Sequence, residues 1–277
     1  MKNNPHFAFF GTSEVSVHVL ETLKEAGYVP NLIVTMPDKP KGRKFVITPP
    51  EVKTWGEENG IKVLQPEKLD EAFIHDLKKE SWDLFIVVAY GKIMPKTLLD
   101  IPIHKSINVH YSLLPKFRGS SPVEGAILAD DKETGVTLIQ MDEAMDHGPI
   151  IAQEKVNLTE WPLKRCDLMT ALNEVGGKLL VETLPIWLEG KIIPTEQDHT
   201  QATFVKMIKK ENALLDLTDD EYTNYRKIMA YETWPRAYFL KDGKRVIINA
   251  AEWKDGKLRI LRVTPEGRKE MNYSDLN

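Results

Sequence analysis

Short apolar runs that stop at glycine alternate along the chain with longer segments of helical spacing. FAFFG (Phe7 to Gly11) is too short for a helix and is bounded like a buried strand. EVSVHVLETLKEAG follows, with Val15, Val19, Leu23 and Ala26 on one face and Gly27 at its end, which predicts a helix. VPNLIVTMPD predicts a second strand. PPEVKTWGEENG predicts a helix entered at proline and left at glycine, and DEAFIHDLKKESW another. DLFIVVAYG is the most apolar stretch and predicts a central parallel strand buried on both faces. SINVHYS is the next strand. This alternation over residues 1–130 predicts an α/β fold, a Rossmann-like, mostly parallel sheet with helices on both faces and right-handed crossovers.

SPVEGAILADD predicts a further helix, and TGVTLIQMD and GPIIAQEKVNL two strands joined by EAMDH. CDLMTALNEVGGKLLVETLPIWLEG predicts a long amphipathic helix. KIIPTEQDHTQATFVKMIKKENA is polar, with few apolar pairs, and reads as connecting chain. The last part holds a helix, DDEYTNYRKIMAYE, and the stretch RAYFLKDGKRVIINAAEWKDGKLRILRVTP. Its two DG dipeptides between alternating runs predict hairpins. The expected organisation is a catalytic domain at 1–190, a linker at 191–205 and a small β-rich domain at 206–277.

Composition narrows the function classes. With 277 residues the chain can bury a large core without staples, and its single cysteine, Cys166, excludes an intrachain disulfide. Cys166 opens a predicted helix and reads as a structural thiol; the seven histidines show no ligand-like pairing with it, so no metal is expected. No apolar run reaches ~18 residues, so no membrane span is expected. The N-terminal apolar run is too short for a signal peptide, which points to the cytoplasm. The net charge of −4 is uneven. Residues 201–277 carry 15 Lys and Arg against 12 Asp and Glu, while the preceding 200 carry 22 against 29. This basic end reads either as the solvated surface of the small β domain or as a weak polyanion-facing surface.

Candidate chemistry gathers at two places. FGTSEVS has a single glycine and lacks the G-x-G-x-x-G of a dinucleotide site. Asn108 and His110 are two apart on a strand, so they share a side, at the carboxyl edge of a parallel sheet where ligands of α/β folds bind. An amide donor and an imidazole suit a developing oxyanion; a polar strand end bonded to its own loop would look the same. The loop MDEAMDHGP offers Asp142, Glu143, Asp146 and His147. If it returns to that edge, a carboxylate can charge and orient the imidazole. No G-x-S-x-G elbow is present, so the accepting nucleophile would come from the substrate. MPDKPKGRKFVITPPEVK clusters Lys39, Lys41, Arg43 and Lys44 in a turn-rich loop, which reads either as solvated surface or as a phosphate-touching segment.

NVHYSLLPKFRG followed by ETGVTLIQMDEAMDHGPIIAQ resembles the formyltransferases that use 10-formyltetrahydrofolate. FFGTSEVSVHVLETL, MPDKPKGRKFVITPPEVK and DLFIVVAYGKIMPKTLLDIP extend the resemblance in order, and together they are similar to the members that act on methionyl-tRNA. YETWPRAYF and ILRVTPEGRKEM are similar to stretches of that group's C-terminal domain. The resemblance implies that Asn108, His110 and Asp146 are the catalytic trio. It implies that Ser112, Leu113, Leu114 and Pro115 contact folate, and that the backbone of Val88, Ala89, Tyr90 and Gly91 lines the pterin pocket. It implies that the loop with Lys39, Lys41, Arg43 and Lys44 enters the acceptor stem of initiator tRNA. The implied reaction carries a formyl group from 10-formyltetrahydrofolate to the α-amine of methionyl-tRNA, for translation initiation, by a monomer without a metal. Three other readings share the motifs: a nucleotide-sugar N-formyltransferase, a formyltetrahydrofolate hydrolase, and a non-catalytic folate- or RNA-binding module. Two features depart from the family pattern. Tyr111 follows the histidine where a small residue or proline is usual, and the C-terminal β region is short, like a truncated OB barrel.

Overall fold

A run without polar positions, such as Phe7 to Gly11, is stable only with both faces covered, and that is where the chain puts it. The computed structural model describes residues 4–42 and 45–276. In chain order the elements begin with β1 (Phe7–Gly11), α1 (Glu14–Glu25), β2 (Leu32–Val34), β3 (Lys39–Lys41), β4 (Val46–Thr48), α2 (Glu51–Glu58) and β5 (Lys62–Leu64). There follow α3 (Glu71–Leu77), β6 (Leu84–Val88), α4 (Lys96–Leu99), β7 (Ser106–His110), β8 (Arg118–Gly119), α5 (Pro122–Ala129), β9 (Gly135–Gln140) and β10 (Ile150–Lys155). The chain closes with α6 (Arg165–Leu188), β11 (Phe204–Val205), α7 (Glu221–Ala230), β12 (Tyr238–Lys241), β13 (Lys244–Lys254), β14 (Lys257–Pro265) and β15 (Met271–Asn272).

Two compact units result. The first comprises the residues up to Arg118, Gly135–Lys155 and Leu172–Ala202; the second comprises Gly119–Thr134, Val156–Ala171 and the chain from Thr203 on. The first unit is built on a seven-stranded sheet of order β10-β9-β7-β6-β1-β2-β5. Every strand runs parallel except β9, which is antiparallel to both its neighbours. The α/β expectation of a mostly parallel sheet therefore holds. Both central strands, β1 and β6, are buried at every position, the pattern of a sheet covered on two faces. Ala8, Phe10, Phe85 and Val87 pack with Ile74 and Leu77 of α3 and Leu98 and Leu99 of α4. On the alternate positions Ile33 and Val63 lie against Gly56 of α2.

Some elements differ from the sequence reading. The buried stripe of α1 is Ser16, Val19, Leu20 and Leu23, while Ala26 is exposed. Ser16 can face inward because its hydroxyl donates to the Val88 carbonyl at 2.7 Å, which satisfies both buried groups. Lys62–Leu64 adds a short edge strand, and Lys39–Lys41 pairs with Val46–Thr48 as a hairpin where the sequence reads as a loop.

In the second unit α7 packs on α5: Arg226 donates to the Leu128 carbonyl and the Tyr222 hydroxyl to Asp130. Its sheet is the antiparallel meander β12-β13-β14-β15. Both DG dipeptides sit in the turns with positive φ at each residue: 52° and 74° at Asp242–Gly243, 54° and 73° at Asp255–Gly256. These are the type I′ values that make Asp-Gly a hairpin signal. Burial pushes the Cys166 thiol up to about 11, so it stays protonated and unreactive near neutrality.

Candidate active site

β7 carries the two residues that open the site. Asn108 pairs with Val87 of β6 and Ile139 of β9, and His110 with Thr137 of β9. Their side chains share one face of the strand; His110 is buried and Asn108 half-buried.

The third group arrives by a longer route than the sequence implies. Because β9 is antiparallel to β7, its loop leaves the sheet beside the start of β7, where Met141 N–H donates to the Ser106 carbonyl at 2.8 Å. It must fold back along β7 to bring Asp146 to the pair. Asp142 braces that bend: it accepts from Ala144 N–H at 3.0 Å and its Oδ2 lies 2.6 Å from His147 Nδ1. Asp146 takes a left-handed φ of 51°. Gly148 is needed next to it, since a Cβ there would stand 1.9 Å from the Gln140 carbonyl oxygen. Of the four polar residues in this loop, Asp146 reaches the pair, Asp142 and His147 hold each other, and Glu143 is exposed.

Asp146 Oδ1 lies 3.4 Å from His110 Nδ1 and 3.5 Å from Asn108 Nδ2. His110 Nε2 lies 3.1 Å from the Phe117 carbonyl. A carbonyl can only accept, so Nε2 carries its hydrogen, and Nδ1 is the ring nitrogen that faces Asp146. The arrangement offers an amide donor, an imidazole and a carboxylate at one point.

The SLLP turn is tied to the same strands. Ser112 Oγ donates to the Lys116 carbonyl at 2.6 Å. Thr137 Oγ1 donates to the Ser112 carbonyl at 2.6 Å and accepts from Leu114 N–H at 3.1 Å. Gln153 Nε2 donates to the Leu114 carbonyl at 3.0 Å. The polar groups of Ser112 and Leu114 thus serve the fold, with Leu113 and Pro115 half-buried beside them. The carbonyls of Val88 and Tyr90 likewise accept from Ser16 and Thr12, whereas Ala89 and Gly91 are exposed with φ of 45° and 88°. Tyr111 directly follows the end of β7; it is buried, its hydroxyl has no protein hydrogen-bond partner, and burial raises its pKa.

Within the basic stretch, Lys39–Lys41 and Val46–Thr48 pair antiparallel as β3 and β4. Lys39 is exposed, and Phe45, Val46 and Ile47 beside the turn are at least 60 % exposed. Arg43 and Lys44 lie outside the described residues. Asp38 accepts from Gln65 and pairs with Lys53 at 2.9 Å, which in that order hold its carboxyl below the usual range. The Lys92 amine donates to the Pro66 and Glu67 carbonyls, and its pKa is lowered first by burial and then by the positive charge of Lys39.

Sequence reasoning missed the polar side chains that support the site. Thr137 and Gln153 sit in strands whose apolar neighbours set the pattern. Gln197, in the polar stretch read as connecting chain, is 4 % exposed and donates to the Asp146 carbonyl. Nothing in a lone glutamine of a polar run signals burial. Among the described residues no group of three His, Cys, Asp or Glu is placed to hold a metal ion, and no helix is long and apolar enough to cross a membrane. A cavity of about 580 Å³ at the outer edge of the sheet, among Leu32, Leu64, Phe73 and Trp82, is lined by none of the site residues.

Comparison with known proteins shows which family the chain resembles. The family described as formyl transferase matches residues 6–184. A methionyl-tRNA formyltransferase of Chloroflexus aggregans is 42 % identical over 245 residues, which cover 88 % of this chain and 79 % of the relative. The solved methionyl-tRNA formyltransferase of Clostridium thermocellum shares the fold at a TM-score of 0.64 and 18 % identity, over 94 % of this chain and 98 % of that one. An N-formyltransferase of Helicobacter canadensis, solved with folinic acid and dTDP-3-aminofucose, shares the fold at 0.65 and 16 % identity, over 97 % and 98 %.

Proposed function

The chain belongs to the formyltransferase family and, within it, to the methionyl-tRNA formyltransferases, and from that membership we propose how its residues perform the transfer. The formyl donor is 10-formyltetrahydrofolate and the acceptor is the α-amino group of methionyl-initiator tRNA. An α-amine titrates at about 7.7–8.0, so a useful fraction is neutral and nucleophilic near neutral pH. The amine attacks the formyl carbon and the carbonyl oxygen gains charge. Asn108 Nδ2 donates to that oxygen, and His110 Nε2–H joins it by exchanging the Phe117 carbonyl for the developing oxyanion, in a site where protein dipoles rather than water do the solvating. Asp146 orients the His110 ring through Nδ1 and receives the proton that the attacking nitrogen sheds. Collapse of the tetrahedral centre breaks the bond to folate N10, and the same proton returns to that nitrogen. No bond to the enzyme forms.

One observation carries this reading: a single carboxylate oxygen, Asp146 Oδ1, lies within 3.5 Å of both the amide and the imidazole of β7. The SLLP turn and the exposed backbone of Ala89 and Gly91 form the folate side. The hairpin with Lys39 and Lys41, followed in sequence by Arg43 and Lys44, meets the tRNA through phosphate contacts. The test is an acceptor panel with 10-formyltetrahydrofolate: charged initiator tRNA, charged elongator tRNA, a nucleotide-linked amino sugar, and no amine. Formyl-methionyl-tRNA as the main product supports the reading. Preferential formylation of the sugar, or formate release without an amine, overturns it.

A further inference from the structure

A polar cluster outside the trio holds the loop that carries Asp146. Gln197 stands at its centre. The side-chain Nε2 donates to the carbonyls of Asp146 at 3.0 Å and Gly148 at 2.7 Å. Its Oε1 accepts from Arg118 Nε at 3.2 Å and Nη2 at 2.6 Å. Both donors and both acceptor sites of the amide are engaged, which fixes its orientation without ambiguity about which end is nitrogen. The two carbonyls it holds flank His147, and one belongs to Asp146 itself.

Arg118, 3 % exposed, also donates to His199 Nδ1 at 2.8 Å. The His199 ring stacks on His147 at 4.1 Å and 5°. The loop is thus gripped twice, by its backbone through Gln197 and by the His147 ring through His199, and both grips end on Arg118. Arg118 directly follows Phe117, whose carbonyl accepts the His110 Nε2 hydrogen. Contacts therefore run in a closed ring from His110 through Phe117, Arg118, Gln197 and Asp146 back to His110. All of these residues belong to the first unit.

We infer that Gln197 is a positioning residue for formyl transfer, which relays the anchor of Arg118 to the Asp146 backbone so that the carboxylate meets Asn108 and His110. An aspartate at a φ of 51° is a conformation that persists only where its surroundings impose it, and the paired donation to residues 146 and 148 imposes it here. The inference rests on the trio reading given above.

Two variants separate positioning from packing. Gln197→Glu keeps the size and the link to Arg118 but sets a carboxylate oxygen against two carbonyl oxygens. Gln197→Met keeps the volume and removes every hydrogen bond. Steady-state formylation by the full chain should show kcat at least ~10-fold lower for each, with KM for the folate donor and for the charged tRNA within ~2-fold of wild type. The decisive readout is a double-mutant cycle. In an Asp146→Asn background, Gln197→Glu should lower kcat by no more than ~2-fold further, since its effect passes through that carboxylate. A kcat within ~2-fold of wild type for Gln197→Glu, or full multiplication of the two effects, overturns the inference. So does failure of both variants to fold, which would make the residue structural. If the wild type formylates an acceptor other than methionyl-tRNA, the function reading fails instead, and the same cycle on that reaction decides the role of Gln197.

Discussion

Replacing Asp146 by asparagine keeps the shape of the side chain and removes its charge. In the wild type Oδ1 stands 3.4 Å from His110 Nδ1, and the two side chains are only 12 % and 6 % exposed. At an effective dielectric of about 20, a full charge pair at that separation interacts by about 5 kcal/mol. With about 1.4 kcal/mol per tenfold in rate, complete loss of that term would slow transfer by roughly 10³- to 10⁴-fold. This is an upper bound, because asparagine can still accept from Nδ1–H through its oxygen. The lower bound is the loss of one preorganised oxyanion interaction, about 10²-fold. Asp146→Asn should therefore fall in kcat by between ~10² and ~10⁴ while folding normally. Single-turnover formylation of charged initiator tRNA with saturating donor measures this, with a melting curve as control. A loss below ~5-fold in a folded variant would refute the claim that this charge supports His110 in the transition state.

Three further outcomes follow from the geometry. Tyr90 is buried, its hydroxyl has no protein partner, and burial pushes it from 10.0 up to about 12. Tyr90→Phe should then match wild-type stability at pH ~7 and exceed it by about 1.4 kcal/mol at pH ~11, because there the unfolded phenol ionises and the folded one does not. Equal denaturation midpoints at both values would contradict this. Gly148→Ala forces a backbone shift beside Asp146, so kcat should drop by at least ~10-fold, whereas an unchanged rate would show that the loop position is immaterial. Lys39→Ala should raise KM for charged tRNA and reduce the salt dependence of binding by about one counterion, with KM for the folate donor unchanged; an unaltered salt slope speaks against a phosphate contact.

Much of this was legible in residue order because the signals are local. The fully apolar β1 and β6 sit at the centre of the sheet, and both Asp-Gly turns adopt positive φ throughout. Asn108 and His110 share a face because two is the period of a strand. What escaped depends on distant partners. β5 is a three-residue edge strand with an exposed lysine, too short to show alternation. The β3–β4 hairpin is masked by Pro40 and its lysines. Ser16 entered the buried stripe of α1 only because a carbonyl 72 positions away receives its hydroxyl. Gln197 is buried by partners 79 and 51 positions earlier in the chain, and no window of sequence contains them. Asp146 was found as a candidate, but the fold-back that delivers it follows from the antiparallel direction of β9, which alternation alone does not reveal.

The central claim is that the β7 pair with Asp146 carries formyl transfer to methionyl-tRNA. The most direct measurement compares wild type with His110→Ala in single-turnover formylation of charged initiator tRNA by 10-formyltetrahydrofolate. The account predicts formyl-methionyl-tRNA from the wild type and a rate lower by roughly 10²- to 10³-fold in the folded variant. A His110→Ala enzyme that works at the wild-type rate, or a wild type that leaves the tRNA unformylated, would contradict it.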